Sequence, residues 1–69
     1  MTTRLFNLEK GLKFVIEDDA DIPSGEAIPD EGLVLTLCME IGSFRHCVGS
    51  DGLSYYLAAH TEVIRVVEQ

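Results

Sequence analysis

A strict alternation of apolar residues runs through LVLTLCMEI, residues 33–41, and constrains the fold more than any other feature. Side chains two positions apart share one face of a β-strand, whereas a helix brings together residues three or four apart. The sequence therefore predicts a half-buried strand here. Its inward residues are Leu33, Leu35, Leu37, Met39 and Ile41.

A two-residue turn of glycine and serine follows at 42–43. Glycine at the first central position of such a hairpin supplies the positive φ that the turn requires. We therefore expect Ile41 to pair with Phe44, and the same register sets Cys38 opposite Cys47 on the outer face. The residues after the turn that this register faces inward are Phe44, His46 and Val48.

Three further segments, 11–17, 53–58 and 63–68, alternate in the same way and predict strands. Their inward residues are Leu12, Phe14 and Ile16, then Leu53, Tyr55 and Leu57, then Ile64 and Val66. The glycine-rich stretch GSDG at 49–52 predicts a turn, and AAHTE at 58–62 predicts one helical turn. RLFNLE near the N-terminus is expected to be a short extra strand or arm that packs Phe6 or Leu8 on the domain.

These elements follow the order strand, long loop over 17–32, three-stranded meander, helical turn over 58–62 and final strand. The order resembles the SH3-like small barrel across about residues 11–68. The resemblance implies an all-β, five-stranded barrel occupying 1–69 as a single domain, with 1–10 as an arm or extra strand. It does not imply binding of proline-rich peptides, because the chain has no tryptophan and lacks the aromatic slots that grip a polyproline helix.

The stretches KGLKFVI, GLVLTLCMEIGSFRHCVGSDGLSYYL and EVIRVVE are also similar in style to small uncharacterised proteins of bacteriophages and prophages. That resemblance implies an accessory role, such as inhibition of a host protein in the host cytoplasm. A fold does not by itself give a function, so the role has to be argued from particular residues.

Negative charge is concentrated in one segment, EDDADIPSGEAIPDE at 17–31. The formal net charge of the chain is −7, and this segment holds seven acids and no base, so the other acids and bases balance. The pattern argues against direct nucleic-acid binding, which needs lysine and arginine gathered along a face. The seven acids are Glu17, Asp18, Asp19, Asp21, Glu26, Asp30 and Glu31.

CMEIGSFRHC at 38–47 concentrates reactive side chains but matches no pattern typical of catalysis or metal binding. Structural zinc sites favour cysteines separated by roughly two to four residues, and here the spacing is wider. His46 and Cys47 diverge as neighbours on a strand, so they do not form a nucleophile with its base. EDDAD lacks the spacing of a calcium loop. We expect no metal, no cofactor and no enzymatic activity.

The redox state of the two cysteines stays open at this point. A cross-strand pair without hydrogen bonds brings its Cα atoms to about 4.5 Å, which a disulfide tolerates. Free thiols are the alternative, and reducing conditions in the cytoplasm favour them. We expect a cytoplasmic protein, because no apolar stretch approaches the roughly 20 residues of a membrane helix and the N-terminus lacks the core of a signal peptide.

Two interpretations of the acidic segment remain. In the first, the segment only keeps a small domain soluble. In the second, it binds a basic site on another protein. If that site normally holds nucleic acid, the carboxylates would mimic phosphate. We expect Arg45 and Tyr56 to lie in an exposed row with Glu40. On the second interpretation both residues extend the partner-binding surface, because arginine and tyrosine are common at interface hot spots.

The expected partner is a host or phage protein with a basic surface, and not a membrane. We expect the chain to be a monomer or a weak homodimer. The rival interpretation is structural, a virion component or self-associating subunit whose exposed strand edges pair.

Overall fold

Within residues 2–67, which this computed structural model describes, the chain forms six β-strands and one short 3-10 helix. The strands are β1 (Thr2–Arg4), β2 (Lys13–Ile16), β3 (Leu35–Ile41), β4 (Phe44–Gly49), β5 (Ser54–Ala58) and β6 (Glu62–Val66), and the 3-10 helix is Leu5–Asn7. They pair as an antiparallel sheet in the order β1-β6-β2-β3-β4-β5. The predicted all-β class is confirmed, and this open sheet is compatible with an SH3-like fold.

Strand β1 lies at the N-terminus and pairs with β6, and it shares only Arg4 with the segment RLFNLE that was expected to be an extra strand or arm. The 3-10 helix that follows packs into the sheet, because Leu5 is fully buried and donates its N–H to the Thr61 carbonyl at 2.8 Å. Of the two residues expected to pack here, Leu8 lies half-buried against the core, whereas Phe6 is 50% exposed. Residue 1 of the predicted arm lies outside the described residues.

The core is formed largely by alternating apolar residues of β2, of β5 and of β3 up to Leu37. Burying one large apolar side chain stabilises a fold by about 1.5–3 kcal/mol, so a few such residues decide whether a chain of this size folds. The inward predictions confirmed as buried are Phe14, Leu35, Leu37, Tyr55 and Leu57. The cluster also includes three residues that were not expected inside, Leu5, Cys47 and Val63.

A β-bulge in β3 changes the register of the central hairpin. The turn forms as predicted, with Ile41 opposite Phe44. Further from the turn, the register shifts between Leu37 and Met39, so that β3 carries one extra residue, Cys38. An extra residue exchanges the inside and the outside of a strand from that point on, because side chains alternate with a period of two.

The bulge overturns the predicted faces on both strands of the hairpin. Met39 and Ile41, expected inside, are 52% and 46% exposed. Cys47 lies opposite Leu37 and is buried in the core, so the expected pairing of the two cysteines on the outer face is wrong. Both cysteines are free thiols. The residues expected inward on β4, which are half-buried on the outer face instead, are Phe44, His46 and Val48.

Two further inward predictions are wrong for local reasons. Ile64 is 37% exposed while Val63 is buried, because Val63 pairs with Ile16 of β2 and the apolar run in β6 gives no clear alternation. Leu53 is 57% exposed, since β5 begins only at Ser54 and Leu53 still belongs to the turn.

The segment 58–62 forms a tight turn where one helical turn was predicted. Thr61 donates its N–H to the Ala58 carbonyl at 3.1 Å, which closes a single turn. The Ala59 carbonyl accepts a hydrogen bond from the N–H of Phe6 at 2.9 Å. The N-terminal 3-10 helix, rather than a continued helical turn, therefore satisfies this backbone.

Candidate electrostatic interface

The acidic segment, residues 17–31, lies between β2 and β3 and is fastened where it begins. Glu17 donates its N–H to the Glu62 carbonyl at 3.1 Å, and the Asp21 carbonyl accepts a hydrogen bond from the end of β5 at 2.9 Å. Ile22 then packs against the core. All seven predicted acids are exposed: Glu17, Asp18, Asp19, Asp21, Glu26, Asp30 and Glu31.

The beginning of this segment forms one wall of a cleft of about 340 Å³, which we call the acidic cleft. The other wall comes from the two ends of the chain, because β1 pairs with β6 and β6 pairs with β2. The cleft is lined by Arg4, Glu17, Asp18, Asp19, Ala20, Asp21, His60, Thr61 and Glu62.

The two basic residues of the acidic cleft already have partners. The Arg4 guanidinium lies 3.5 Å from the Glu62 carboxylate and donates a hydrogen bond to the His60 carbonyl at 2.8 Å. His60 Nε2 lies 2.8 Å from Asp21 Oδ2. Both residues therefore have partners within the cleft, Arg4 on its own wall and His60 across the cleft at Asp21.

Three neighbouring acids of the cleft, Glu17, Asp18 and Asp19, form no side-chain hydrogen bond or ion pair with any residue in the range 2–67. They are consecutive, and all three are exposed. Solvent-exposed carboxylates that lack a basic neighbour create a negative potential that extends over several ångströms and attracts cations. At Glu17, Asp18 and Asp19, this wall of the cleft is therefore accessible and, as far as residues 2–67 show, without a basic partner.

The other acids of the segment lie elsewhere. Asp30 and Glu31 line a second cleft of about 440 Å³. They lie in a turn at the end of the segment, in which Leu33 donates its N–H to the Asp30 carbonyl at 3.1 Å. Glu26 lies apart from both, beside Phe44. The structure therefore does not gather all seven acids in one place, although five of them line the second cleft: Glu17, Asp18, Asp19, Asp30 and Glu31. Glu17, Asp18 and Asp19 also line the first cleft.

The two non-acidic residues predicted to bind a partner occupy different environments. Arg45 is only 9% exposed and donates hydrogen bonds to the carbonyls of Gly42 and Phe44 at 3.1 and 3.0 Å. Its expected place in an exposed row with Glu40 and Tyr56 is therefore wrong, because the bulge turns it toward the core. Tyr56 is half-buried and stacks on His46 with ring centroids 5.1 Å apart.

Two titratable groups far from the acidic cleft hold the turn between β4 and β5. Tyr55 donates its hydroxyl hydrogen to Asp51 Oδ2 at 2.6 Å, and Leu53 donates its N–H to Oδ1 at 3.0 Å. The hydrogen bond from Tyr55 is the main cause that lowers the pKa of Asp51 from 3.8. The same contact raises the pKa of Tyr55 to about 12. This pair stabilises the turn and has no place in the candidate interface.

Among residues 2–67, no group of three or more His, Cys, Asp or Glu side chains is arranged to hold a metal ion. No helix in that range is long and apolar enough to cross a membrane.

Sequence reasoning missed the wall of the cleft that comes from the chain ends. Arg4 lies in the predicted arm or extra strand and His60 in the predicted helical turn, and no local pattern connects either of them with Asp21. His60 and Asp21 are 39 positions apart in the sequence, and their segments meet where Ala58, at the end of β5, donates its N–H to the Asp21 carbonyl.

No protein-family profile, no curated protein and no solved structure matches this chain.

Proposed function

We propose that this chain is a small acidic protein-binding module that engages a basic site on another protein through the acidic cleft. One observation carries the proposal: Glu17, Asp18 and Asp19 are exposed without a partner among the described residues, while Arg4 and His60 on the facing wall are already paired. A lysine or arginine of a partner would complete the pairing that the chain itself leaves open.

The energetics favour recognition by several charges at once. One exposed ion pair contributes only about 0–1 kcal/mol, so a single lysine would bind weakly. A row of carboxylates instead steers a basic surface into place and fixes its orientation, and like-charged partners are repelled. Such binding weakens as salt is added, since ions screen exposed charges beyond about 8 Å at physiological ionic strength.

We further propose that the module is a phage-encoded accessory or inhibitor protein that acts on a host protein in the host cytoplasm, without a cofactor or catalysis of its own. The resemblance to small phage proteins and the segregated charge support this role. If the partner's basic site normally holds nucleic acid, the carboxylates would take the place of phosphates. In this proposal strands β2–β6 act as an SH3-like five-stranded barrel, and 17–32 is its long first loop.

The rival role is that of a structural or self-associating virion component. The observation that favours it is the open sheet, which has β1 at one edge and β5 at the other. Unpaired strand edges are able to pair with those of other copies. Sedimentation separates the two roles, because edge-to-edge pairing would produce rings or larger assemblies.

The decisive experiment is affinity capture from host lysate with charge-matched variants. Asp18→Asn/Asp19→Asn removes two charges from the acidic cleft, and Glu9→Gln/Glu40→Gln removes two exposed charges elsewhere. Asp21 is left unchanged because its carboxylate pairs with His60. We expect the first variant to lose the captured protein while it stays folded, and the second to retain it. Equal capture by both variants at low salt would overturn the proposal.

A further inference from the structure

The bulge at Cys38 gives the outer face of the sheet an unusual composition. Beyond it, the apolar alternation of β3 continues, but Met39 and Ile41 now point away from the core and are 52% and 46% exposed. These two apolar side chains therefore do not contribute to the core of the domain. Contiguous exposed apolar surface on a soluble domain is typical of an interaction site.

This outer face is continuous across the sheet. One row joins Val66, Lys13, Thr36 and Val48 through successive cross-strand pairs, and the next row on β3 and β4 pairs Met39 with His46. A groove of about 600 Å³ runs along the first of these rows. Its lining residues are Lys13, Val34, Thr36, Cys38, Val48, Gly49, Ser50 and Val66.

The charge distribution determines what can cover this face. The chain has a net charge of −7, yet none of the described residues that line the groove carries a carboxylate. Glu26 lines a separate depression together with Ile41 and Tyr56. Two copies that approached through the acidic cleft would repel each other, whereas two that met through the groove would keep their acidic segments apart.

We propose that the outer face around Val48 is a homodimer interface, in which two copies pack sheet against sheet about a two-fold axis. The proposal uses residues different from those of the acidic cleft and goes beyond the proposed function. Its consequence is a dimer that presents two acidic clefts, so that a partner with two basic sites would be bound with avidity.

The area that such a contact needs is compatible with the size of the chain. A stable interface buries about 800 Å² on each partner, and the described surface of this chain is 4527 Å². The contact would therefore cover roughly a sixth of that surface. Domains below roughly 70–80 residues also tend to need stabilisation beyond a single core, and association is one way to obtain it.

Sedimentation velocity on the full chain tests the proposal over a concentration series up to about 500 µM, a range that covers weak interfaces of this size. We expect a monomer–dimer equilibrium. Val48→Glu would place one carboxylate per copy in the contact and weaken the dimer by about a hundredfold. Leu53→Glu is the matched control, because Leu53 is 57% exposed and lies in a turn outside this face, and it should leave the equilibrium unchanged.

Two additional measurements keep the test decisive if Val48→Glu perturbs folding. Met39→Glu changes a residue that is already 52% exposed, so it should fold and weaken the dimer as well. Cys38 lines the groove, so its rate of alkylation in the wild-type chain should fall as protein concentration rises. A chain that is monomeric throughout, or a dimer indifferent to both variants, would overturn the proposal. Larger assemblies that persist in both variants would overturn it in favour of edge pairing.

Discussion

Leu37 lies opposite Cys47 across β3 and β4, one position away from the pairing that unbroken alternation predicts. The extra residue, Cys38, sits in a β-bulge, and beyond it every side chain of β3 points to the opposite face. This single shift buries Cys47 and Arg45 and exposes Met39 and Ile41. It separates the core of the hairpin from the surface that we propose for self-association.

The bulge predicts unequal costs for two truncations on the same strand. Leu37→Ala removes a buried side chain and should lower the free energy of unfolding by about 2–5 kcal/mol. Met39→Ala removes an exposed one and should change it by less than about 0.5 kcal/mol. Urea denaturation of dilute, monomeric protein measures both. Comparable losses in the two variants would mean that Met39 faces the core and that the bulge is absent in solution.

The two thiols should differ in reactivity. Cys47 is fully buried, and burial, with a smaller effect of nearby Cys38, raises the pKa of its thiol to about 12 from 9.0. Thiolate is the reactive species, so Cys47 should resist iodoacetamide in the native state while the half-buried Cys38 reacts. Intact mass should show one adduct in native protein and two in urea. Two adducts under native conditions would contradict this assignment.

The same burial makes stability depend on pH in the alkaline range. The folded state holds the Cys47 proton more tightly than the unfolded state, so this contribution is complete below pH 9.0 and is lost as pH rises toward about 12. Tyr55, whose pKa is also raised to about 12, acts in the same direction. Cys47→Ala should therefore show a shallower loss of stability above pH 9.0 than the wild type. Parallel slopes for the two proteins would argue against a buried thiol.

Asp51 should govern part of the acid dependence. The hydrogen bonds from the Tyr55 hydroxyl and the Leu53 N–H lower its pKa, so its contribution to stability is present above pH 3.8 and is lost as pH falls below that value. Asp51→Asn should lower the melting temperature by a few degrees at neutral pH and flatten the decline below pH 3.8. Tyr55→Phe should flatten the same decline. A decline that is unchanged in both variants would place the responsible carboxyl elsewhere.

The fold class and most of the core could be predicted from alternation and turn chemistry. Phe14, Leu35 and Leu57 lie inside because period-two patterns report the buried face of a strand directly. The bulge could not be predicted in this way, because LVLTLCMEI alternates without interruption through Cys38. Only packing against the partner strand decides where an extra residue is accommodated.

Only one wall of the acidic cleft could be predicted from the sequence. The acidic wall is visible as a run of acids without a base, whereas Arg4 and His60 come from opposite ends of the chain and carry no local signal. Arg45 was expected on the surface because the predicted register placed it there, and its burial follows from the same bulge. The error in the predicted register therefore also placed Arg45 wrongly in the predicted binding surface.

The most direct test of the central claim, that the acidic cleft binds cationic side chains of a protein partner, is an amide NMR titration of the full chain with a short lysine-rich peptide. We predict chemical-shift changes centred on residues 17–21 and on Thr61 and Glu62. They should vanish in Asp18→Asn/Asp19→Asn and persist in Glu9→Gln/Glu40→Gln, and about 0.5 M salt should suppress them. Shifts that spread evenly over the acids, or that survive the Asp18→Asn/Asp19→Asn substitution, would contradict the claim.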